Sequence, residues 1–259
     1  MSTTAPVTVG LLHPGEMGAA IGAQLVRAGH RVLWSSPGRS AATAERATRA
    51  GLHDAGEATA LAAASDIVLS VAPPAAAGEV AASVGEFRGL FVDANAIAPE
   101  TSRAIAESVE ARGGRYVDGG IIGPPPQSVG DARLYLSGPE AAEVAALFAP
   151  TVLDARAVGQ RIGDASAVKL AYAGWTKGSA ALLLAMREYA ARAGVEDVLL
   201  AEWAQSQPEL AEQWQRAERS RQRKGWRWVG EMEEIARALG AADLPDGFHR
   251  AAAEVYREA

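Results

Sequence analysis

The sequence predicts an α/β protein with a doubly wound parallel sheet, followed by an all-helical C-terminal domain. Over residues 7–157, short β-branched runs alternate with alanine-rich, helix-forming stretches, as strands alternate with crossover helices in a parallel sheet. From residue 164 onwards the strand-like runs stop and every stretch is typical of a helix. We therefore expect two domains, residues 1–160 and 161–259.

The individual elements follow from apolar runs and the residues that end them. Gly29, Gly51 and Gly113 each directly follow a predicted helix, as expected of glycines that end helices in the left-handed conformation. Asp164 is predicted to cap a helix over residues 164–192, on the order of 40 Å long. We expect strands at 7–12, 31–35, 67–71, 90–93, 116–118 and 134–137, and further helices at 17–28, 40–50, 75–84, 99–112, 196–205, 208–222, 226–238 and 247–258.

Composition narrows the class of function. The net charge of −6 argues against a nucleic-acid surface and favours a small-molecule substrate. The chain has no cysteine, which excludes disulfides, thiolate nucleophiles and cysteine-ligated metals. His53 and His249 lack metal-ligand spacing, so no metal is expected. Residues 1–10 lack the features of a signal peptide and no apolar run is long enough to span a bilayer, so we expect a cytoplasmic protein without membrane contact.

The stretch GLLHPGEMG, residues 10–18, has the pattern of a phosphate-binding loop between a strand and a helix. Gly15 would let the backbone approach a pyrophosphate, and Gly18 would let helix and strand pack closely. His13 stands at the first glycine position, where histidine is tolerable because it visits positive φ more than most residues do. A strand–helix turn without a ligand is the alternative. The predicted dinucleotide contacts are Leu12, His13, Pro14, Gly15, Glu16, Met17 and Gly18.

The end of the second predicted strand indicates which dinucleotide binds. NAD-specific sites usually present Asp or Glu to the ribose 2′-hydroxyl about 20 residues after the loop, whereas this chain reads LWSSPGRS at 33–40. Ser35, Ser36 and Arg39 would suit a 2′-phosphate, because arginine pairs with phosphate through two parallel hydrogen bonds. NADP(H) is therefore expected in preference to NAD(H), although Arg39 could instead only cap a surface loop.

Two further loops follow predicted strands, SVAPP at 70–74 and VDANA at 92–96. Ligands of open α/β sheets bind at the carboxyl ends of strands. Val71, Ala72, Pro73 and Asn95 are therefore predicted to contact the cofactor. The prolines could alternatively only start the next helix.

Five stretches in this order resemble the 6-phosphogluconate dehydrogenase-related superfamily, which includes β-hydroxyacid dehydrogenases and imine reductases. The tail at 226–256 is similar to a short helical C-terminal domain of one branch of that superfamily. The resemblance implies a Rossmann domain, here expected to bind NADP, and a helical substrate and dimerisation domain that often forms a homodimer. It also implies an active site in the cleft between the two domains. The stretches are GLLHPGEMG (10–18), SDIVLSVAPP (65–74), VDANAIAPET (92–101), DGGIIGPPP (118–126) and ASAVKLAYAGWTKG (165–178).

The resemblance implies Lys169 as the catalytic residue, since hydroxyacid dehydrogenases of this superfamily carry their lysine there. A lysine can protonate a carbonyl oxygen, or take the proton of an alcohol, as hydride moves. Tyr172 and Thr176 share its helical face, and Thr176 is a predicted substrate contact. The Tyr172 hydroxyl is either itself the proton donor or part of an aromatic wall. Lys177 lies off that face and is expected to be structural or exposed.

Two departures leave the reaction open. Hydroxyacid dehydrogenases carry a serine-glycine-glycine loop where this chain has Ile122, Gly123 and Pro124, the predicted substrate contacts, and an asparagine where it has Tyr172. The loop at 118–130 is closer to that of imine reductases, which have Asp or Tyr at the position of Lys169. The sequence thus allows reduction of a carbonyl, reduction of a C=N bond, or dinucleotide binding without catalysis.

The helical domain carries two further features. Five tryptophans fall within it and on the long helix, and they are expected to form a bundle core or a dimer interface rather than a pocket. The basic run at 219–227 is expected to be a solvated loop, unless one of its arginines reaches a substrate carboxylate. The tryptophans are Trp175, Trp203, Trp214, Trp226 and Trp228.

Overall fold

The computed structural model describes residues 5–257, apart from the side chain of Lys224. Its eight strands form one sheet, and all six predicted strands are among them. The strands are β1 Thr8–Leu12, β2 Arg31–Trp34, β3 His53–Asp54, β4 Ile67–Ser70, β5 Leu90–Asp93, β6 Arg115–Ile122, β7 Arg133–Ser137 and β8 Asp154–Gly159. Their order across the sheet is β3-β2-β1-β4-β5-β6-β7-β8.

The sheet is mostly parallel and doubly wound. β1 pairs in parallel with both β2 and β4. The chain therefore adds strands on one side of β1 as far as β3, and then returns to add β4 and the later strands on the other side. β7 runs antiparallel to β6, and β8 runs parallel to β7. The predicted doubly wound parallel sheet is therefore confirmed, with the antiparallel β7 as its exception. No crossover helix separates β6 from β7, so the chain turns back through a loop and pairs antiparallel.

Helices cover both faces of this sheet. Side chains of one strand alternate between two apolar layers, as shown by Val9 and Leu11 in one layer and Leu12 in the other. The first layer packs on α1, α2 and α6, and the second packs on α3, α4 and α5. These helices are α1 Glu16–Arg27, α2 Ala41–Arg49, α3 Ala58–Ala63, α4 Ala77–Ser83, α5 Pro99–Ala111 and α6 Ala141–Leu147, with a 3-10 turn at Pro74–Ala76 before α4.

Four short elements were not predicted: β3, β8, α3 and α6. β3 has only two residues, both exposed, and β8 is an edge strand with no buried residue. Neither therefore carries the apolar alternation from which a half-buried strand is recognised. The helices α3 and α6 are six and seven residues long, too short for a clear helical period.

Four helices complete the chain: α7 Asp164–Arg192, α8 Glu196–Ser206, α9 Leu210–Ala241 and α10 Gly247–Arg257. The predicted break between 222 and 226 is wrong, because α9 continues through Gly225, which is buried and followed by no proline. The basic run at 219–227 therefore lies on a helix and not in a loop. The chain divides into two compact units between Lys169 and Leu170, so the first turn of α7 belongs to the N-terminal unit.

The helical unit has a small core and a large exposed apolar surface. Tyr256 is buried, stacks edge-on against Trp228 with ring centroids 5.0 Å apart, and donates a hydrogen bond to the Lys177 carbonyl. By contrast, Trp175 is 77% exposed and Phe248 is 75% exposed. Over residues 5–257, no helix combines the length and apolar character needed to cross a membrane.

Candidate active site

The loop after β1 has the geometry expected of a dinucleotide loop. His13 adopts a φ of 66°, which confirms the positive φ predicted for it. Gly15 directly precedes α1, and a Cβ atom added there would meet no atom within 4 Å. A Cβ added to Gly18 would lie 2.6 Å from the His13 carbonyl oxygen. Gly15 thus leaves its backbone open to a ligand at the start of α1, while Gly18 permits the close approach of helix and loop.

The loop after β2 lies within electrostatic reach of His13. Burial, and then the positive charge of Arg39, lower the pKa of His13 to about 4, so this imidazole is neutral near pH 7. Its Nδ1 atom is buried and has no hydrogen-bond partner among the described residues. Ser35 is buried, Ser36 is half-buried and Arg39 is exposed. An exposed guanidinium therefore lies close enough to the glycine loop to act on the charge of His13.

Asn95 ties two of the predicted cofactor loops together. It is 2% exposed, its Nδ2 donates to Ser70 Oγ at 3.0 Å, and its Oδ1 accepts the Ala72 amide at 2.5 Å. These bonds join the ends of β4 and β5 and hold the backbone at Ala72. Both ends of the Asn95 amide thus bind the protein itself, a role that its position in the sequence did not suggest.

The loop after β6 is closed by its own backbone. Gly123 has a φ of 122°, and a Cβ there would lie 2.1 Å from the Asp131 carbonyl oxygen. The Asp131 carboxylate accepts the amides of Gln127 and Ser128, which lowers its pKa. Ile122 is buried, whereas Gly123 and Pro124 are exposed. Of these three predicted substrate contacts, the last two are the ones that solvent reaches.

Lys169 packs against β6 at the carboxyl edge of the sheet. A Cβ added to Gly120 would lie 2.6 Å from Lys169 Cβ and 3.3 Å from its Cγ, so the stem of the lysine lies directly on this glycine. Asp93, the last residue of β5, pairs with Asp118 of β6. Gly120 therefore lies beyond the end of β5, on the side where ligands of open α/β sheets bind. The side chain of Lys169 is half-buried.

Asp118 caps the N-terminus of α7, a role that was predicted for Asp164. Asp118 is fully buried, and its Oδ2 accepts the amides of Gly163 and Ser166 at 3.1 and 2.9 Å. Asp164 is instead the first residue of the helix, and its carboxylate pairs with Arg161 at 3.0 Å. The prediction failed because the capping carboxylate comes from a strand 45 residues earlier, which no local pattern can reveal.

The remaining predicted residues lie in the helical unit. Tyr172 is 49% exposed. The Thr176 hydroxyl donates to the Tyr172 carbonyl at 2.9 Å, so its proton is already used within the helix. Lys177 forms an ion pair with Glu231 and lies over the Trp228 ring, 5.3 Å from its centroid. These contacts agree with the structural role expected of Lys177.

Comparison with known proteins identifies the family. Residues 8–149, more than half of the chain, match the family described as the NAD binding domain of 6-phosphogluconate dehydrogenase. Residues 190–259 match a domain of unknown function, DUF1932. A curated protein of Methanothermus fervidus, described as an uncharacterized 28.5 kDa protein in the 7S RNA 5′ region, is 31% identical over 139 residues. That match spans about half of each protein, 52% of both.

Two solved structures resemble the chain over nearly its whole length. One is a conserved protein of unknown function, reported to be structurally similar to 3-hydroxyacid dehydrogenases. It is 30% identical, with a TM-score of 0.72, and the match covers 97% of this chain and 96% of that one. The other is a conserved hypothetical protein from Sinorhizobium meliloti 1021, which is 27% identical with a TM-score of 0.72 over 98% and 89% of the two chains.

More distant structures share the fold. They include a 3-hydroxyisobutyrate dehydrogenase of Mycobacterium tuberculosis, 19% identical with a TM-score of 0.69. A reductive aminase of Aspergillus terreus, solved with NADPH and ethyl levulinate, is 22% identical with a TM-score of 0.62. Each match covers 98% of this chain and 93% of the other. On the match over residues 8–149 and the likeness at 30% identity over nearly the full length, this chain belongs to the 6-phosphogluconate dehydrogenase-related family of NAD-binding proteins.

Proposed function

We propose that this protein is an NADP(H)-dependent oxidoreductase that acts on a small hydroxy or carbonyl compound, with Lys169 as the acid and base. One observation carries the proposal. The stem of Lys169 lies against Gly120, at the same edge of the sheet as the loops after β1, β4 and β5. The stem of Lys169 therefore belongs to the unit that carries the dinucleotide loop, and its place beyond the end of β5 supports a role for the amine on the ligand-binding side of that unit.

The residues around the loop fit a dinucleotide. Gly15 leaves open space at the start of α1, where a pyrophosphate would accept hydrogen bonds from backbone N–H groups. Arg39 and the two serines before it would hold the 2′-phosphate, which favours NADP(H) over NAD(H). When bound, the nicotinamide supplies or accepts a hydride at its C4 carbon.

The role of Lys169 is to move the proton. In reduction, its ammonium group donates a proton to the carbonyl oxygen that becomes a hydroxyl. In oxidation, the neutral amine takes the proton of the alcohol. Such a group contributes about 10²–10⁴ in rate. Gly123 and Pro124 are the proposed substrate contacts of the neighbouring loop, and Tyr172 is the second candidate proton donor, which a Tyr172→Phe variant tests.

A second candidate reaction is reduction of a C=N bond. The loop at 118–130 favours it, because Ile122, Gly123 and Pro124 offer none of the hydroxyl contacts that a serine would give a substrate carboxylate. An imine nitrogen can be protonated before hydride transfer, so Lys169 would matter less there. Two of the structures that share the fold are named as an imine reductase and a reductive aminase, at 20% and 22% identity to this chain.

NADPH oxidation by the purified protein, with a panel of small aldehyde and keto acids beside a panel of cyclic imines, tests the proposal. Turnover confined to the acids supports carbonyl chemistry. Turnover confined to the imines supports the second reaction. Tight NADPH binding without turnover of either panel would contradict both and leave a dinucleotide-binding protein without catalysis.

We also propose that the protein is a homodimer through its helical unit. An apolar groove of about 520 Å³ is lined by Trp175, Leu182, Met186 and Phe248, and each of these side chains is at least 45% exposed. Exposed apolar side chains that cluster on one surface are typical of an interface. Sedimentation equilibrium should show a dimer that Met186→Arg converts to a monomer. A monomeric wild-type protein would refute this part of the proposal.

A further inference from the structure

We infer that Asp118 is the positioning residue that holds Lys169 in place. The inference rests on the proposed role of Lys169 in proton transfer. Asp118 reaches the lysine through the first turn of α7, and each link in that connection lies within the N-terminal unit.

Asp118 is a buried carboxylate with five hydrogen-bond donors. Its Oδ1 accepts the hydroxyls of Ser102 and Ser166, at 2.8 and 2.5 Å. Its Oδ2 accepts the Ser137 hydroxyl at 2.8 Å and the amides of Gly163 and Ser166. Burying a carboxylate is unfavourable unless such hydrogen bonds offset the loss of its hydration. An apolar residue of similar size would avoid that cost. The contribution of the carboxylate therefore lies in the hydrogen bonds that it accepts.

What it binds is the start of α7. The first amides of a helix have no partner within the helix and must find one elsewhere. Asp118 accepts those of Gly163 and Ser166, and the Ser137 hydroxyl, itself bonded to Asp118, accepts that of Ala165 at 2.9 Å. The negative charge of the carboxylate also interacts favourably with the positive, N-terminal end of the α7 dipole. The first turn of α7 is therefore fixed to β6 and β7 by hydrogen bonds.

Lys169 follows Ser166 by three residues, about one helical turn. Its stem lies on Gly120, two residues after Asp118 on the same strand, and any side chain at Gly120 would push α7 away. β6 thus sets the position of Lys169 twice. Asp118 fixes the start of the helix, and Gly120 lets the lysine stem reach the strand. Because a misplacement of about 1 Å can cost 10²-fold in rate, loss of the Asp118 anchor should reduce proton transfer by Lys169.

A double-mutant cycle between Asp118→Asn and Lys169→Ala, measured as single-turnover NADPH oxidation, tests the inference. Asparagine retains one acceptor oxygen but can no longer accept from all five donors, so we expect a three- to thirtyfold lower rate. We expect the NADPH Kd to change less than threefold and the rate loss to vanish in the Lys169→Ala background. Asp118→Ala should lower the single-turnover rate at least 100-fold. The difference in rate between Asp118→Ala and Asp118→Asn measures how far the conservative asparagine rescues the function.

Hydrogen exchange at residues 163–166 gives a readout independent of activity, and it should become faster in Asp118→Asn. Ser102→Ala is the matched control, because it removes a donor on α5 and leaves every α7 contact in place. Its rate should stay within threefold of wild type. Where Asp118→Ala fails to fold, Asp118→Asn alone completes the cycle.

The outcomes separate the inference from the proposed function. Full turnover by Lys169→Ala overturns the proposed function, and the inference falls with it. A slow Lys169→Ala enzyme in which Asp118→Asn costs the same factor as in wild type overturns the inference alone. An unchanged rate in Asp118→Asn also overturns the inference alone.

Discussion

Replacing Asp93 with asparagine should remove a pH dependence from the stability of the N-terminal unit. Asp93 is fully buried at the end of β5. Its Oδ1 accepts a hydrogen bond from the backbone N–H of Asn95 at 2.9 Å, and its Oδ2 has no hydrogen-bond partner among the described residues. Burial raises the pKa of Asp93 to about 7. Hydrogen bonds from the backbone and side chain of Asn95 oppose this rise, and the Asp118 carboxylate on the neighbouring strand adds to it.

The magnitude follows from the two states. The pKa of Asp93 is about 7 in the folded protein against an ordinary value of 3.8, and one pKa unit corresponds to about 1.36 kcal/mol. The folded state binds the proton that the unfolded state has released, so stability is fully present below pH 3.8 and is lost as pH rises to about 7. The whole loss is on the order of 4 kcal/mol, of which about 2–3 kcal/mol falls between pH 5 and pH 8.

Hydrogen exchange of the β5 and β6 amides, converted to opening free energies, measures the stability of this sheet directly. Relative to wild type, Asp93→Asn should gain about 2–3 kcal/mol between pH 5 and pH 8. Asp197→Asn, at an exposed carboxylate of α8, controls for the loss of one negative charge and should show no such gain. The same difference between Asp93→Asn and wild type at both pH values would refute the reasoning.

Two further predictions concern the cofactor. Arg39→Ala should raise the NADPH Kd by roughly 10- to 100-fold, as expected for loss of hydrogen bonds to a charged group, and leave the NADH Kd unchanged. Isothermal titration calorimetry measures both Kd values, and the control variant Arg31→Ala should change neither of them. An equal effect of Arg39→Ala on the NADPH Kd and the NADH Kd would exclude a 2′-phosphate contact. Gly15→Ala should weaken NADPH binding without changing the Tm, because the added Cβ enters open space in the folded protein. Gly18→Ala should lower the free energy of unfolding by about 1–3 kcal/mol, because the added Cβ meets the His13 carbonyl oxygen. Equal Tm values for the two variants would contradict this difference.

The parts of the fold that depend on local sequence could be predicted. A few consecutive residues predict three features: strand β1, the positive φ at His13 and the helix that begins at Glu16. The central strands follow from their apolar runs, since both faces of the sheet are covered. The antiparallel pairing of β7 could not be predicted in this way, because the residues of a strand do not encode its direction.

The candidate site was predictable as a set of loops but not as a network. The carboxyl ends of parallel strands meet at one edge, so the loops after β1, β2, β4 and β5 could be grouped from the strand order alone. The Asn95 bonds to Ser70 and Ala72, and the capping of α7 by Asp118, join residues 23 to 48 positions apart. Such contacts depend on the register of neighbouring strands, which only the structure gives.

The kcat of Lys169→Ala for the best carbonyl substrate, measured beside its NADPH Kd, tests the central claim most directly. Loss of a proton donor that acts only in the chemical step should lower kcat by about 10²–10⁴-fold. The NADPH Kd should stay within a factor of three, since the dinucleotide loop is untouched. A kcat near that of wild type would contradict the claim that Lys169 moves the proton.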